Sequence, residues 1–324
     1  MNHRLTSALL AAVITGGTCL AQVSKPADDH SPVPPQGFDQ AREGIEKGKV
    51  ERVEYDAPVV AEGFKRWVEV YTPPGYSKKT KYPVLYLIHG AGQNERAWVD
   101  SGHANVILDN LVADKKLEPL IVVFPNGSVT TNSGADAQAG RGGAGGAPGG
   151  PGAAPGAAGA GRRGGRGGGL GDASGKNFET DLLKDLIPYV ESHYSVYADS
   201  QHRALAGLSM GGMQTRSIAP ANSDQFSYFG IFSGGNLQPE NLTDLAAFKK
   251  NVKLVYMSFG SRESSAPRGG GTSPSGPDGI KLAAEALTKA GIKAVTYVSP
   301  DSAHDFTSWK RSLYYFSPML FQSH

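Results

Sequence analysis

Cysteine is almost absent from this 324-residue chain, Cys19 being the only one. A disulfide framework and a thiolate metal site are therefore excluded, and so is a cysteine nucleophile beyond the first twenty or so residues. Long hydrophobic runs are missing as well: the stretch Leu9 to Ile14 is too short to span a bilayer, so no membrane anchor is expected. Charge of one sign is scarce, the net value being +2, which gives no ground for nucleic acid or an anionic surface as the main partner. No H-E-x-x-H occurs, and His304 with Asp305 is too small a set for zinc. Neither a metal nor another cofactor is expected.

What is present begins with an address. Arg4, the apolar run after it and Cys19-Leu20-Ala21 before Gln22 read as a secretory signal over residues 1–21, implying a secreted or periplasmic protein. Gly16, Gly17 and Thr18 make a poor lipoprotein signal. Residues 22–48 are polar and proline-bearing and read as a loose leader. Residues 134–174 are mostly Gly, Ala and Pro with no aromatic side chain, too little apolar surface to offset chain entropy, and are expected to form a disordered insertion. Its arginine-glycine clusters resemble RNA-binding tails, but no ring is there for a base to stack on. The insertion's four arginines against Asp136 and Asp172, with Arg4, carry +3, so the rest of the chain stands at −1.

The remainder, 49–324, alternates two patterns. Lys49 to Val60 and Phe64 to Tyr71 alternate polar with large apolar residues, as antiparallel edge strands do. Tyr82 to Ile88, Leu120 to Phe124, Ala204 to Leu208, Tyr228 to Phe232, Val252 to Phe259 and Ala294 to Val298 are apolar on consecutive positions, as strands covered on both faces are. Helical stripes separate most of them, at Asn105 to Leu111, Phe178 to Tyr194, Lys281 to Ala290 and Ser308 to Phe321. The expected class is α/β, a mostly parallel central sheet with helices on both faces and ligands beyond the carboxyl ends of the strands.

At one such end stands Ala206-Gly207-Leu208-Ser209-Met210-Gly211-Gly212. A serine hydroxyl is a weak nucleophile unless the backbone holds it beside a base and next to oxyanion donors. G-x-S-x-G does this by a sharp strand-to-helix bend that aims helical N–H groups at the serine, although the same letters also fit an ordinary glycine-rich turn. In the α/β-hydrolase fold the partners follow in the order Ser, acid, His. After Ser209 the histidines are His304 and the final residue, His324, and His304 sits just past the last strand. Glu263 is the first carboxylate after the strand ending near Phe259, with Asp278 and Asp301 as rivals and a surface pairing with Arg262 as the plainer reading. The backbone N–H groups of Ala91, in His89-Gly90-Ala91-Gly92, and of Met210 are the candidate oxyanion donors. His89 reads as a brace at its strand end rather than a base. Trp98 and Asn126 are candidates to line a substrate pocket, with Trp98 equally suited to the core.

Taken together, these residues resemble the esterase D family of α/β hydrolases, near the feruloyl and acetylxylan esterases of carbohydrate esterase family 1. The similarity runs from about Val50 to Phe321 and rests on Tyr82 to Gly90, Asn94-Glu95 with Trp98, Phe178-Glu179, Ala206 to Gly212, and Ala303-His304-Asp305-Phe306 with Trp309. The resemblance implies Ser209 as nucleophile, His304 as base and Glu263 as acid, where members more often carry Asp. It also implies an ester-decorated polysaccharide or oligosaccharide as substrate. Siderophore esterases and sugar acyltransferases share the family, and a non-catalytic carbohydrate-binding protein on a retired hydrolase fold is the alternative of another class.

Overall fold

A computed structural model of the chain describes residues 32–129, 176–263 and 275–322. The signal at 1–21 and the insertion at 134–174 lie outside these residues. Among the described residues eight strands form one sheet: β1 (Lys49–Asp56), β2 (Lys65–Thr72), β3 (Val84–Ile88), β4 (Ile121–Pro125), β5 (Arg203–Leu208), β6 (Tyr228–Phe232), β7 (Leu254–Gly260) and β8 (Ala294–Ser299). Their spatial order is β1-β2-β4-β3-β5-β6-β7-β8. β1 with β2 and β2 with β4 pair antiparallel, and every other neighbour is parallel. β3 to β7, the apolar runs, are buried at every position, because helices cover both faces.

The helices are α1 (Ala97–Asp100), α2 (Ala104–Ala113), α3, α4 (Met210–Ile218), α5 (Leu245–Asn251), α6 (Gly276–Lys289) and α7 (Phe306–Phe316). α3 runs as Lys176–Asp181, a π-helical turn Leu182–Leu186, and Ile187–His193. Alternate residues of each strand point into two cores. Val84, Tyr86 and Ile88 share one core with Leu182, Leu186 and Val190 of α3 and with Ile280 and Leu287 of α6, which covers the β7–β8 end of the same face. Leu85 and Leu87 share the other core with Ile107 and Leu111 of α2 and with Leu313 and Phe316 of α7, which covers β6 to β8 on that face. Each fully buried Leu, Ile or Phe contributes about 1.5–3 kcal/mol. Among the described residues no helix is long and apolar enough to cross a membrane.

Two expectations change. Residues 32–48 are tied down rather than loose: the Phe38 ring packs edge-on to Tyr314, Asn110 donates to the carbonyls of Phe38 and Gln40, and Arg42 reaches Asn110 and Asp114. The cause is a buried Asn110 whose amide needs partners that only this segment supplies. Asp278, which precedes the helical stripe expected at Lys281 to Ala290, lies inside the helix, in the first turn of α6, where the helix dipole favours a carboxylate.

Candidate active site

β3, β5, β7 and β8 bring their carboxyl ends to one edge of the sheet. β5 and α4 meet at Ser209, whose backbone is held at φ 51 and ψ −110, a conformation non-glycine residues rarely adopt. Neighbouring strands hold it there: the Ser209 N–H donates to the Phe232 carbonyl at 2.8 Å and the Gly211 N–H to the His89 carbonyl at 3.0 Å. The flanking glycines are required by contact, since a Cβ on Gly207 would lie 2.4 Å from the Gly211 carbonyl carbon, and one on Gly211 would lie 2.6 Å from the His89 oxygen. The bend thereby leaves Ser209 Oγ above the sheet.

His304 enters from the loop after β8. Asp305 next to it caps α7, accepting from the N–H groups of Thr307 and Ser308, and the Trp309 ring packs edge-on to the imidazole at 5.1 Å. His304 Nε2 lies 2.8 Å from Ser209 Oγ, and its Nδ1 lies 2.7 Å from Glu263 Oε2. Glu263 is 8% exposed. Its other oxygen, Oε1, accepts from the Gly260 N–H at 2.8 Å and from Ser233 Oγ at 2.7 Å. Ser233 in turn accepts from Trp309 Nε1 at 2.9 Å. An indole nitrogen only donates, so the Ser233 proton is directed at Glu263. Asp301 is exposed and paired with Arg262 at 3.3 Å, so the surface pairing considered for Glu263 is taken by its rival.

On the loop after β3 and at the first residue of α4, the Ala91 and Met210 N–H groups have no partner among the described residues. Met210 opens α4, where helical N–H groups are free in any case. His89 is buried and braced: its Nδ1 lies 2.7 Å from the Gly90 carbonyl, and Nε2 accepts from the Gly127 N–H at 3.0 Å. Burial pushes its pKa down, which keeps the ring neutral.

The two proposed pocket residues separate. Trp98 is 0% exposed, its indole N–H bonded to the Ile88 carbonyl at 3.0 Å within the core beneath α7. With no free surface it supports the end of β3 and contacts no substrate in this conformation. Asn126 borders a cleft, but its side-chain oxygen accepts from the Ser128 N–H. Ser233 was not foreseen; its only mark in the sequence is a serine-glycine-glycine after an apolar strand. Among the described residues no group of three or more His, Cys, Asp or Glu stands close enough to hold a metal ion.

A family model described as "Putative esterase" matches residues 62–153 and 170–315. The chain belongs to this esterase family. Among curated proteins it is 34% identical over 296 residues to an endo-1,4-beta-xylanase/feruloyl esterase of Xylanibacter ruminicola, covering 90% of this chain and 34% of that protein. It is 30% identical over 215 residues to endo-1,4-beta-xylanase Y of Acetivibrio thermocellus, covering 60% and 16%. The chain thus spans about a third or less of these relatives. Among solved structures, a CE1 ferulic acid esterase from Anaeromyces mucronatus in complex with ferulic acid superposes with a TM-score of 0.65 at 21% identity, covering 90% of this chain and 97% of that one. A feruloyl esterase module from Clostridium thermocellum complexed with sinapinate gives 0.61 at 20% identity, covering 91% and 96%. This member of the esterase family shares the fold of these esterases, an α/β-hydrolase-like, mostly parallel sheet with helices on both faces.

Proposed function

We propose that the protein is a secreted or periplasmic serine carboxylesterase that hydrolyses feruloyl or acetyl esters on plant polysaccharide such as xylan. The observation that carries this reading is the continuous line Ser209 Oγ, His304, Glu263, with hydrogen bonds of 2.8 and 2.7 Å. The names of the relatives, feruloyl esterase and xylanase, support the substrate class.

In this mechanism Ser209 Oγ attacks the ester carbonyl carbon while His304 Nε2 takes its proton. Glu263, accepting from Nδ1–H, stabilises the imidazolium. The negative charge passes to the carbonyl oxygen, which the Ala91 and Met210 N–H groups receive. Collapse breaks the bond to the alcohol, which leaves with the proton from His304. Water, deprotonated by the same nitrogen, then attacks the acyl-serine and releases the acid and free Ser209. Purified Ser209→Ala is expected to lose turnover of nitrophenyl acetate and methyl ferulate; turnover equal to the parent's refutes the proposal.

A further inference from the structure

The sheet edge that carries Ser209 extends past β3 and β4 to β2, and there it bears an exposed indole. Trp67 is 41% exposed, whereas Trp98 is 0% and Trp309 6%. Nothing in the fold requires a bare indole at this position, since the neighbouring outward residue of β2 is Lys65. The ring is held rigidly: the Arg52 guanidinium lies 4.2 Å from its centroid, and Arg52 is itself fixed through Nε and Nη2 to the buried Glu95 at 2.9 and 2.8 Å. Asn94 and Asn126 complete the cleft beside it. Asn94 Oδ1 accepts from the Arg96 N–H, and its Nδ2 has no protein partner among the described residues.

The charges in the cleft argue against an anionic ligand. Arg52 is matched by Glu95, Lys65 by Glu54 and Asp56, and Arg66 by Asp181. What is offered is an ordered aromatic face surrounded by amide and cationic donors whose charge is already balanced. That combination fits a neutral, hydroxyl-rich ring, whose C–H face packs on the indole while its hydroxyls meet the donors.

The location adds a second constraint. Trp67 follows Arg66, whose guanidinium donates to the Asn126 carbonyl, and Asn126 lies just past the end of β4, level with the loop after β3 that holds Ala91. Between β2 and β5 lie β4 and β3, so three strand spacings place Trp67 about 14 Å from the Ser209 elbow along the edge. A sugar chain of a few units bridges that gap.

We infer that Trp67, with Arg52 and Asn94, forms a subsite for neutral sugar units of an oligosaccharide whose ester lies at Ser209. The inference deepens the esterase reading, on which its catalytic half rests. Its test uses linear, unesterified xylo-oligosaccharides as the binding probe. Because Trp98 and Trp309 are buried, quenching of the parent protein's fluorescence by acrylamide reports mainly on Trp67, and the oligosaccharide is expected to protect it. In isothermal titration Trp67→Ala is expected to weaken binding about tenfold and Trp67→Phe, which keeps a ring, by less. The ratio of kcat/KM on a feruloylated oligosaccharide to that on methyl ferulate is expected to fall in the same order. Absence of protection, binding confined to uronate-bearing chains, or an unchanged ratio in a folded Trp67→Ala overturns the subsite. Protection in a protein that hydrolyses no ester supports the subsite while removing the esterase reading.

Discussion

The contact that most sharply separates function from stability is the hydroxyl of Ser233. It lies at the end of β6, between the strands that carry Ser209 and Glu263, and has φ 51 in the left-handed region. Glu263 Oε1 is pinned by Ser233 and by the Gly260 N–H, and this leaves Oε2 aimed at His304. A carboxylate's terminal torsion is broad, so it is these donors that set its direction. A hydrogen bond to a charged group is worth about 1.5–3 kcal/mol. With Gly260 still in place, losing about half of that from the transition state lowers kcat about four- to thirteenfold. Ser233 is buried behind Glu263, so KM is expected to stay unchanged. Ser233→Gly and Ser233→Ala remove the same hydroxyl and leave Trp309 Nε1 unpaired, but glycine also relieves left-handed strain of about 1–2 kcal/mol. Ser233→Gly should therefore melt well above Ser233→Ala while losing just as much kcat. Steady-state kinetics on methyl ferulate and thermal unfolding of both variants provide the comparison. If kcat tracks the melting temperature, or if Ser233→Gly keeps the parent's kcat, the positioning argument fails.

Three further outcomes follow from the geometry. Gly211→Ala puts a Cβ 2.6 Å from the His89 oxygen, so the elbow must shift; a folded protein that no longer labels with a fluorophosphonate is expected, at a stability cost of about 1–3 kcal/mol. Burial pushes the Glu69 carboxyl up to about 7 from 4.5, against the opposing effect of Arg96. The folded form therefore holds this proton more tightly than the unfolded form does, and its contribution to stability is full below the unfolded value and lost as pH rises through about 7. Chemical unfolding of parent and Glu69→Gln across this range should show a larger loss in the parent, the difference between the two being on the order of 2 kcal/mol once solvent screening is allowed for. Buried Asp181 pairs with buried Arg66 at 3.2 Å, and burial pushes its carboxyl up to about 6. Asp181→Leu leaves the guanidinium without its carboxylate and should cost about 3–5 kcal/mol by denaturant titration, whereas Arg66→Met with Asp181→Leu should recover much of it.

The division between what the sequence discloses and what it conceals follows the range of the interactions. Strands β3 to β7 were legible because burial on both faces writes itself as consecutive apolar residues, and the bend at Ser209 because two glycines are forced by backbone contacts within five positions. Helix α5 was missed: it is short, only Phe248 along it is buried, and Asp244 starts it through a local cap rather than through an apolar stripe. The leader misled because composition says nothing of a distant Asn110 waiting for its carbonyls. Arg66 and Asp181, 115 positions apart, carry no shared pattern at all. Ser233 is the most instructive case. Its chemistry depends on β6 being inserted between β5 and β7, which places a serine from one loop against a glutamate from the next and an indole from a later helix. A motif records neighbours in the chain; this hydroxyl acts on neighbours across the sheet, and so only the strand order reveals which serine after which strand meets the carboxylate.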